Sequence, residues 1–180
     1  LDLTKAFETV SHQALIDAAR KRQYPLRLLK MAVLAYRMGR SVGIDGAFSE
    51  VLRCTRGITA GSGLATAELR LLLMDVVDAA RAASGGEAAI TLYVDDLTIS
   101  ASGSSKNVAD CLARTTDAVV GMFTRLGLLV SKAKSAVVAS SPTLARHTAA
   151  ATSTRSIRPR RHAKLLGTAA ARGRRRSTAL

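Results

Sequence analysis

The spacing of apolar residues changes several times along this chain, and each change marks an element. From Ser11 to Arg22 the residues Ala14, Leu15 and Ala18 recur at helical intervals, and Pro25 opens a second helix through Leu28, Leu29, Ala32, Val33 and Tyr36. The two are expected to pack together. Ser41 to Ile44 and Phe48 to Cys54 predict a short hairpin around Asp45-Gly46, a dipeptide suited to a tight turn. A glycine-bearing stretch, Gly57 to Gly63, precedes a long helix from about Leu64 to Ala83, with Leu69, Leu72, Leu73, Val76 and Val77 on its apolar face. The Ser84-Gly85-Gly86 turn leads to two strands, Ala88 to Leu92 and Leu97 to Ser100. The Ser102 to Ser105 break starts another helix to about Leu126, and Val130 and Ala136 to Ala139 predict further strand. Residues 140–157 turn to Ser, Thr and Ala with weak periodicity, which reads as a loop or linker. Residues 158–180 are basic, with one apolar island at Leu165-Leu166. Leu1-Asp2-Leu3 reads as a strand already under way, as in a fragment. The expectation is an α+β domain over residues 1–140, a linker over 141–157 and a basic tail over 158–180.

Composition adds two things. With 48% hydrophobic residues in 180, the chain can bury a core, and with aromatics at 3% that core must be Ala, Val and Leu. The net charge of +14 is concentrated at one end: residues 118–180 hold 13 Lys and Arg and no acid. Such a segment suits a polyanion such as nucleic acid, with a solvated tail as the ordinary alternative. Cys54 and Cys111 stand far apart without a CxxC partner and read as buried free thiols of a reducing compartment. No apolar run reaches the ~18 residues needed to span a bilayer, and the N-terminus lacks a signal-peptide pattern. The expected setting is intracellular, nuclear or cytoplasmic, without a membrane; the oligomeric state has no signature.

The candidate chemistry lies in Tyr93-Val94-Asp95-Asp96. Two adjacent carboxylates between apolar strands repel one another and resist desolvation unless a cation joins them, and a metal is the obvious one. Other stretches flank this one in a definite order. Upstream stands Leu1-Asp2-Leu3-Thr4-Lys5-Ala6-Phe7-Glu8-Thr9-Val10-Ser11-His12, and between lies Arg56-Gly57-Ile58-Thr59-Ala60-Gly61-Ser62-Gly63-Leu64. Downstream come Gly127-Leu128-Leu129-Val130-Ser131-Lys132-Ala133-Lys134-Ser135 and Ala163-Lys164-Leu165-Leu166-Gly167. The series resembles motifs A to E of the reverse transcriptase palm, most closely that of non-LTR retroelements and group II introns.

The resemblance implies a polymerase palm, a partial fingers-palm fragment whose antiparallel sheet carries the motif A strand and the Tyr93-Val94-Asp95-Asp96 hairpin on helices. It implies RNA-directed DNA synthesis from dNTPs on an RNA template, with a DNA or RNA primer and two Mg²⁺ ions, Mn²⁺ being the alternative. In-line attack of a 3′-hydroxyl on an α-phosphate suits two divalent ions about 4 Å apart, held by carboxylates. By resemblance Asp2 and Asp95 bridge the metals, with Asp96 beside them. Phe7 takes the place of the side chain under the incoming sugar, where a ring clashes with a 2′-hydroxyl; a core Phe is the plain alternative. Gly57, Gly61 and Ser62 match the motif B loop that lines the nascent pair. Lys134, with Lys132 as rival, matches the motif D lysine near the departing pyrophosphate. Lys164, Leu166 and Gly167 match the primer-gripping turn, and Arg174, Arg175 and Arg176 in the tail would add sequence-independent grip on nucleic acid. Thr59-Ala60 replaces the family's Pro-Gln, Gly63 its later Pro, and Glu8 its Asp, so the amide usually near the nucleotide is absent. The rival expectation is a decayed retroelement segment that binds nucleic acid through its basic tail without catalysis.

Overall fold

The computed structural model describes residues 1–59, 61–154, 157–165 and 168–171. In chain order these form β1 (Leu3–Thr4), α1 (Ala6–Thr9), α2 (His12–Lys21), α3 (Leu26–Tyr36), β2 (Gly43–Ile44), β3 (Ala47–Phe48) and α4 (Ala65–Ser84). There follow β4 (Ala88–Tyr93), β5 (Asp96–Ala101), α5 (Ser105–Arg125), β6 (Leu129–Val130), β7 (Ala136–Val137), α6 (Pro142–Ala151), β8 (Arg158–Pro159), β9 (His162–Leu165) and β10 (Thr168–Ala171). Helices and small two-stranded sheets, mostly antiparallel, make an α+β architecture. Among the described residues no helix is long and apolar enough to cross a membrane.

The chain divides into two compact units. One spans Lys5–Met74 with Leu126–Leu128. Here the Ser11 Oγ accepts from the Ala14 amide and caps α2, whose last turn carries Arg20 and Lys21 against the negative end of the helix. Pro25, which tolerates no preceding helix, starts α3, and α2 packs on α3. Leu15, Ala19, Leu29, Val33, Leu69, Leu72 and Leu73 supply buried side chains. The β2–β3 hairpin turns at Asp45-Gly46, both with positive φ, and its strands are two residues each, shorter than the sequence pattern predicts. Both strands are exposed on every residue, so no burial extends the pairing. Cys54 is exposed, which corrects the expectation of two buried thiols; Cys111 is buried.

The other unit comprises Leu1–Thr4, Asp75–Arg125 and the described residues from Leu129 onward. Strands β4 and β5 pair antiparallel from Ala88↔Ala101 to Tyr93↔Asp96, and alternate residues of β4 are half-buried, as a strand with one packed face requires. Strand β1 pairs with β6, Leu3 opposite Val130 and Thr4 opposite Leu129. On its other edge the Leu97 amide donates to the Leu1 carbonyl at 3.0 Å. Helix α5 packs on β5 and on α6.

Residues 142–151 form a helix, so the loop or linker expected over 141–157 is corrected. Ser141 caps it, accepting from the Leu144 amide at 3.0 Å, and Pro142 opens its first turn. Leu144 packs with Val108 and Ala109 of α5, joined by Ala101, Leu112 and Ala139. The Asp117 carboxylate accepts from the Ser153 amide and hydroxyl, tying down the chain after α6. Strand β7 runs parallel to β8, and β9 pairs with β10 from Thr168↔Leu165 to Ala171↔His162.

Candidate active site

The first acid immediately precedes β1 and is held by backbone bonds to two other segments. The Asp2 amide donates to the Ser135 Oγ at 3.1 Å, its carbonyl accepts from the Ser131 amide at 2.8 Å, and Leu1 before it bonds Leu97. Asp96 opens β5 opposite Tyr93, and Asp95 occupies the intervening turn with Val94. Val94 has φ 55°, a left-handed conformation that a β-branched residue avoids, so the turn holds its acids at a cost in backbone strain.

Electrostatics bring these acids together. The Asp96 carboxyl is raised above the usual carboxylate range, chiefly by burial and then by the negative charges of Asp2 and Asp95, with the Leu1 amino group and then Lys134 pulling the other way. Lys134 Nζ lies 3.6 Å from Asp2 Oδ1, an ion pair on a largely exposed lysine and a largely buried acid. Asp2 Oδ1 is buried and accepts no hydrogen bond. An oxygen-only donor set, crowded in negative charge and with one oxygen that accepts no hydrogen bond and has only the Lys134 ion pair, fits a hard divalent cation. Among the described residues no three His, Cys, Asp or Glu side chains stand together as a ready-made metal cage. Magnesium does not demand one, because it retains waters and substrate phosphate oxygens in its shell.

The motif B residues belong to the unit built from Lys5–Met74. There the Ile58 amide donates to the Phe7 carbonyl and the Gly57 amide to the Val10 carbonyl, each at 2.8 Å. These bonds bring the half-buried Phe7 beside the start of the glycine loop. Gly57 has φ 92°, and a Cβ there would stand 2.9 Å from the Glu8 carbonyl oxygen, so only glycine fits on both counts. Gly61 has φ 85° with open space around it.

Four residues without motif status hold this loop. Arg37 Nε donates to His12 Nδ1 at 3.1 Å, which leaves His12 Nε2 to donate to the Gly57 carbonyl at 2.8 Å. Tyr36 donates to Glu68 Oε2 at 2.6 Å and lies 2.9 Å from Ser62 Oγ, so the serine hydroxyl donates to the phenol oxygen. Burial and the bond to Glu68 push the Tyr36 phenol up to about 12, and burial raises the Glu68 carboxyl. One signal was available: Glu68 falls on the apolar stripe of α4, four residues before Leu72. His12 and Arg37 carried none. Thr59, which stands in place of the family's proline, accepts from Arg40 at 2.7 Å.

Of the remaining candidates, Lys164 lies in β9. Leu166, Gly167, Arg174, Arg175 and Arg176 fall outside the described residues, as does Ala60.

One acid at the start of a strand beside a hairpin that carries two more, one in its turn and one opening its second strand, with helix α5 packed on that hairpin, is the palm arrangement of template-directed polymerases. The family model for reverse transcriptase (RNA-dependent DNA polymerase) matches residues 1–169, and the chain belongs to that family. Among curated proteins, none matches it.

Proposed function

We propose that this chain is the palm of an RNA-directed DNA polymerase of the non-LTR retroelement or group II intron type. It would extend a DNA or RNA primer on an RNA template with dNTPs. The observation that carries the reading is the pair of backbone bonds between Leu1 and Leu97, which join the residue before Asp2 to the residue after Asp96 from far apart in sequence. Asp2 and Asp95 would hold two Mg²⁺ ions, or Mn²⁺ in their place, with Asp96 beside them. Those ions would supply Lewis-acid activation of the attacking hydroxyl and charge neutralisation at the leaving phosphate.

The chain's own groups would do the rest. Asp2 presents a carboxylate oxygen that accepts no hydrogen bond and faces only the Lys134 ammonium, and its backbone is bonded to Ser131 and Ser135. Lys134 supplies a positive charge beside the acids, and its ion pair with Asp2 favours it over Lys132 as counter-charge or proton donor to the departing pyrophosphate. Phe7 would exclude a 2′-hydroxyl, and Gly57, Gly61 and Ser62 would line the nascent pair.

The test is extension of a labelled primer on an RNA template by the full protein and by Asp95→Ala and Asp2→Ala. Each substitution is expected to lower the rate by on the order of a thousandfold or more, as loss of a principal catalytic group does. Retained synthesis in either variant defeats the reading. A second reading, nucleic-acid binding without synthesis, is favoured by Thr59-Ala60 in place of the family's Pro-Gln. A protein that binds RNA and extends nothing supports it.

A further inference from the structure

Beyond the acids, the same unit contains a cavity of about 310 Å³ walled by Ala139, Ser141, Pro142 and Ala145 on one side and by Pro159, Arg160 and Arg161 on the other, with Arg146 at its mouth. The chemistry of the walls is divided. Two prolines and two alanines make an apolar floor, three arginines also line the cavity, and none of the lining residues is acidic. Nor does any acid occur in the sequence from residue 118 onward, so the segments that build the cavity contribute positive charge alone.

The floor is rigid for identifiable reasons. Ala145 is buried in the face that α6 turns to α5, and Ala139 packs against the Val108, Ala109 and Leu144 cluster. The parallel pairing of β7 with β8, Val137 opposite Pro159, sets the far wall, and the Arg160 amide donates to the Val137 carbonyl at 2.9 Å. Arg160 is further pinned through its guanidinium to the Ala133 carbonyl at 2.8 Å. Arg146 and Arg161 are exposed at the rim.

We infer that this cavity receives one nucleotide of a single-stranded nucleic acid, its base against the proline and alanine floor and its phosphates on Arg146 and Arg161. A guanidinium plane both stacks on a base and bonds phosphate oxygens in a fork, which an ammonium does not do. The volume lies at the small end of the range for ligand pockets, roughly 300–1,000 Å³, enough for a single nucleotide and too little for a duplex. A bare anion would leave the apolar floor uncovered, and an apolar ligand would leave Arg146 and Arg161 at the rim without a counter-charge. The inference shares with the polymerase reading the expectation that the chain handles nucleic acid, but it needs no catalysis.

Binding of a labelled single-stranded RNA of about ten nucleotides, followed by anisotropy across a salt series, tests it. The double variant Arg146→Ala with Arg161→Ala is expected to bind about tenfold more weakly and to flatten the log–log salt slope by about 1.4, two contacts at 0.7 each. Ala139→Phe fills the floor without altering charge; it is expected to weaken RNA binding while leaving inorganic polyphosphate binding unchanged. With the unaltered protein, an abasic strand of equal length is expected to bind about tenfold more weakly than RNA, a comparison that no folding defect can affect. The inference is overturned if the abasic strand binds equally well. It is also overturned if Arg27→Ala with Lys30→Ala, exposed on α3, costs as much as the rim variant, or if free uridine monophosphate displaces the strand at equal nucleotide concentration. Primer extension reports separately: its absence sinks the polymerase reading and leaves these comparisons standing, and the reverse holds.

Discussion

Glu68 is an acid with no exposed surface, one carboxylate oxygen bonded to Tyr36 and the other without a partner. Burial raises its pKa in the folded state, and the Tyr36 bond opposes that only in part. A carboxyl raised on folding binds more protons folded than unfolded between its two pKa values. Its stabilising contribution is therefore full below the unfolded value, roughly 4.3, and is lost as pH rises through the folded one. The urea midpoint is expected to be higher at mildly acidic pH than at neutral, and Glu68→Gln should flatten that difference. A wild-type profile already flat would refute the assignment. Tyr36 has the same sign, but its loss of stability falls in the alkaline range up to about 12. At Gly57 both φ and space are restrictive, so Gly57→Ala should cost about 2–3 kcal/mol by denaturant titration, whereas Gly61→Ala, strained in φ alone, should cost about 1 kcal/mol. Equal losses would count against the close approach to Glu8. The acids and glycines were legible because nucleotidyl transfer limits the residue types it can use. Tyr36, His12 and Arg37 were not, because a hydrogen bond between distant elements leaves no period or spacing behind.

Helix α6 shows the limit of reading elements from apolar rhythm. Its buried positions are Leu144, Ala145 and Thr148, of which Leu144 alone is large, so the helical period is faint in a run of Ser, Thr and Ala. The cap was the better signal: Ser141 followed by Pro142 is a helix start. If this helix belongs to the core, Leu144→Ala should cost about 2–4 kcal/mol, and Ser141→Ala about 1 kcal/mol through the lost cap, both by thermal or urea unfolding. Substitutions in a solvated linker would do neither. The helices α3 and α4 were legible because their apolar faces carry Leu and Val at helical spacing. The β2–β3 hairpin was legible from its turn, while the length of its strands was not, since nothing buries them.

For the whole molecule, charge asymmetry makes the clearest expectation. Removing residues 172–180 takes away Arg172, Arg174, Arg175 and Arg176, and the log–log salt slope for single-stranded RNA should fall by about 2–3 if these residues contact phosphates. An unchanged slope would mean that the tail makes no such contacts. The order of motifs was legible along the chain. The division into two compact units was not, because it depends on pairings such as Leu3↔Val130 that no local pattern encodes. Those pairings also bear on how the protein is made. The segment Leu1-Asp2 that leads into β1 is held by Leu97 and by Ser131 and Ser135, and the bond to Ser135 spans 133 positions. At ribosomal rates of about 5–20 residues per second, Asp2 waits on the order of ten seconds before its last partner is synthesised. The acid made before its two companions is among the last to be fixed, and through that interval the nascent chain carries an unpaired strand.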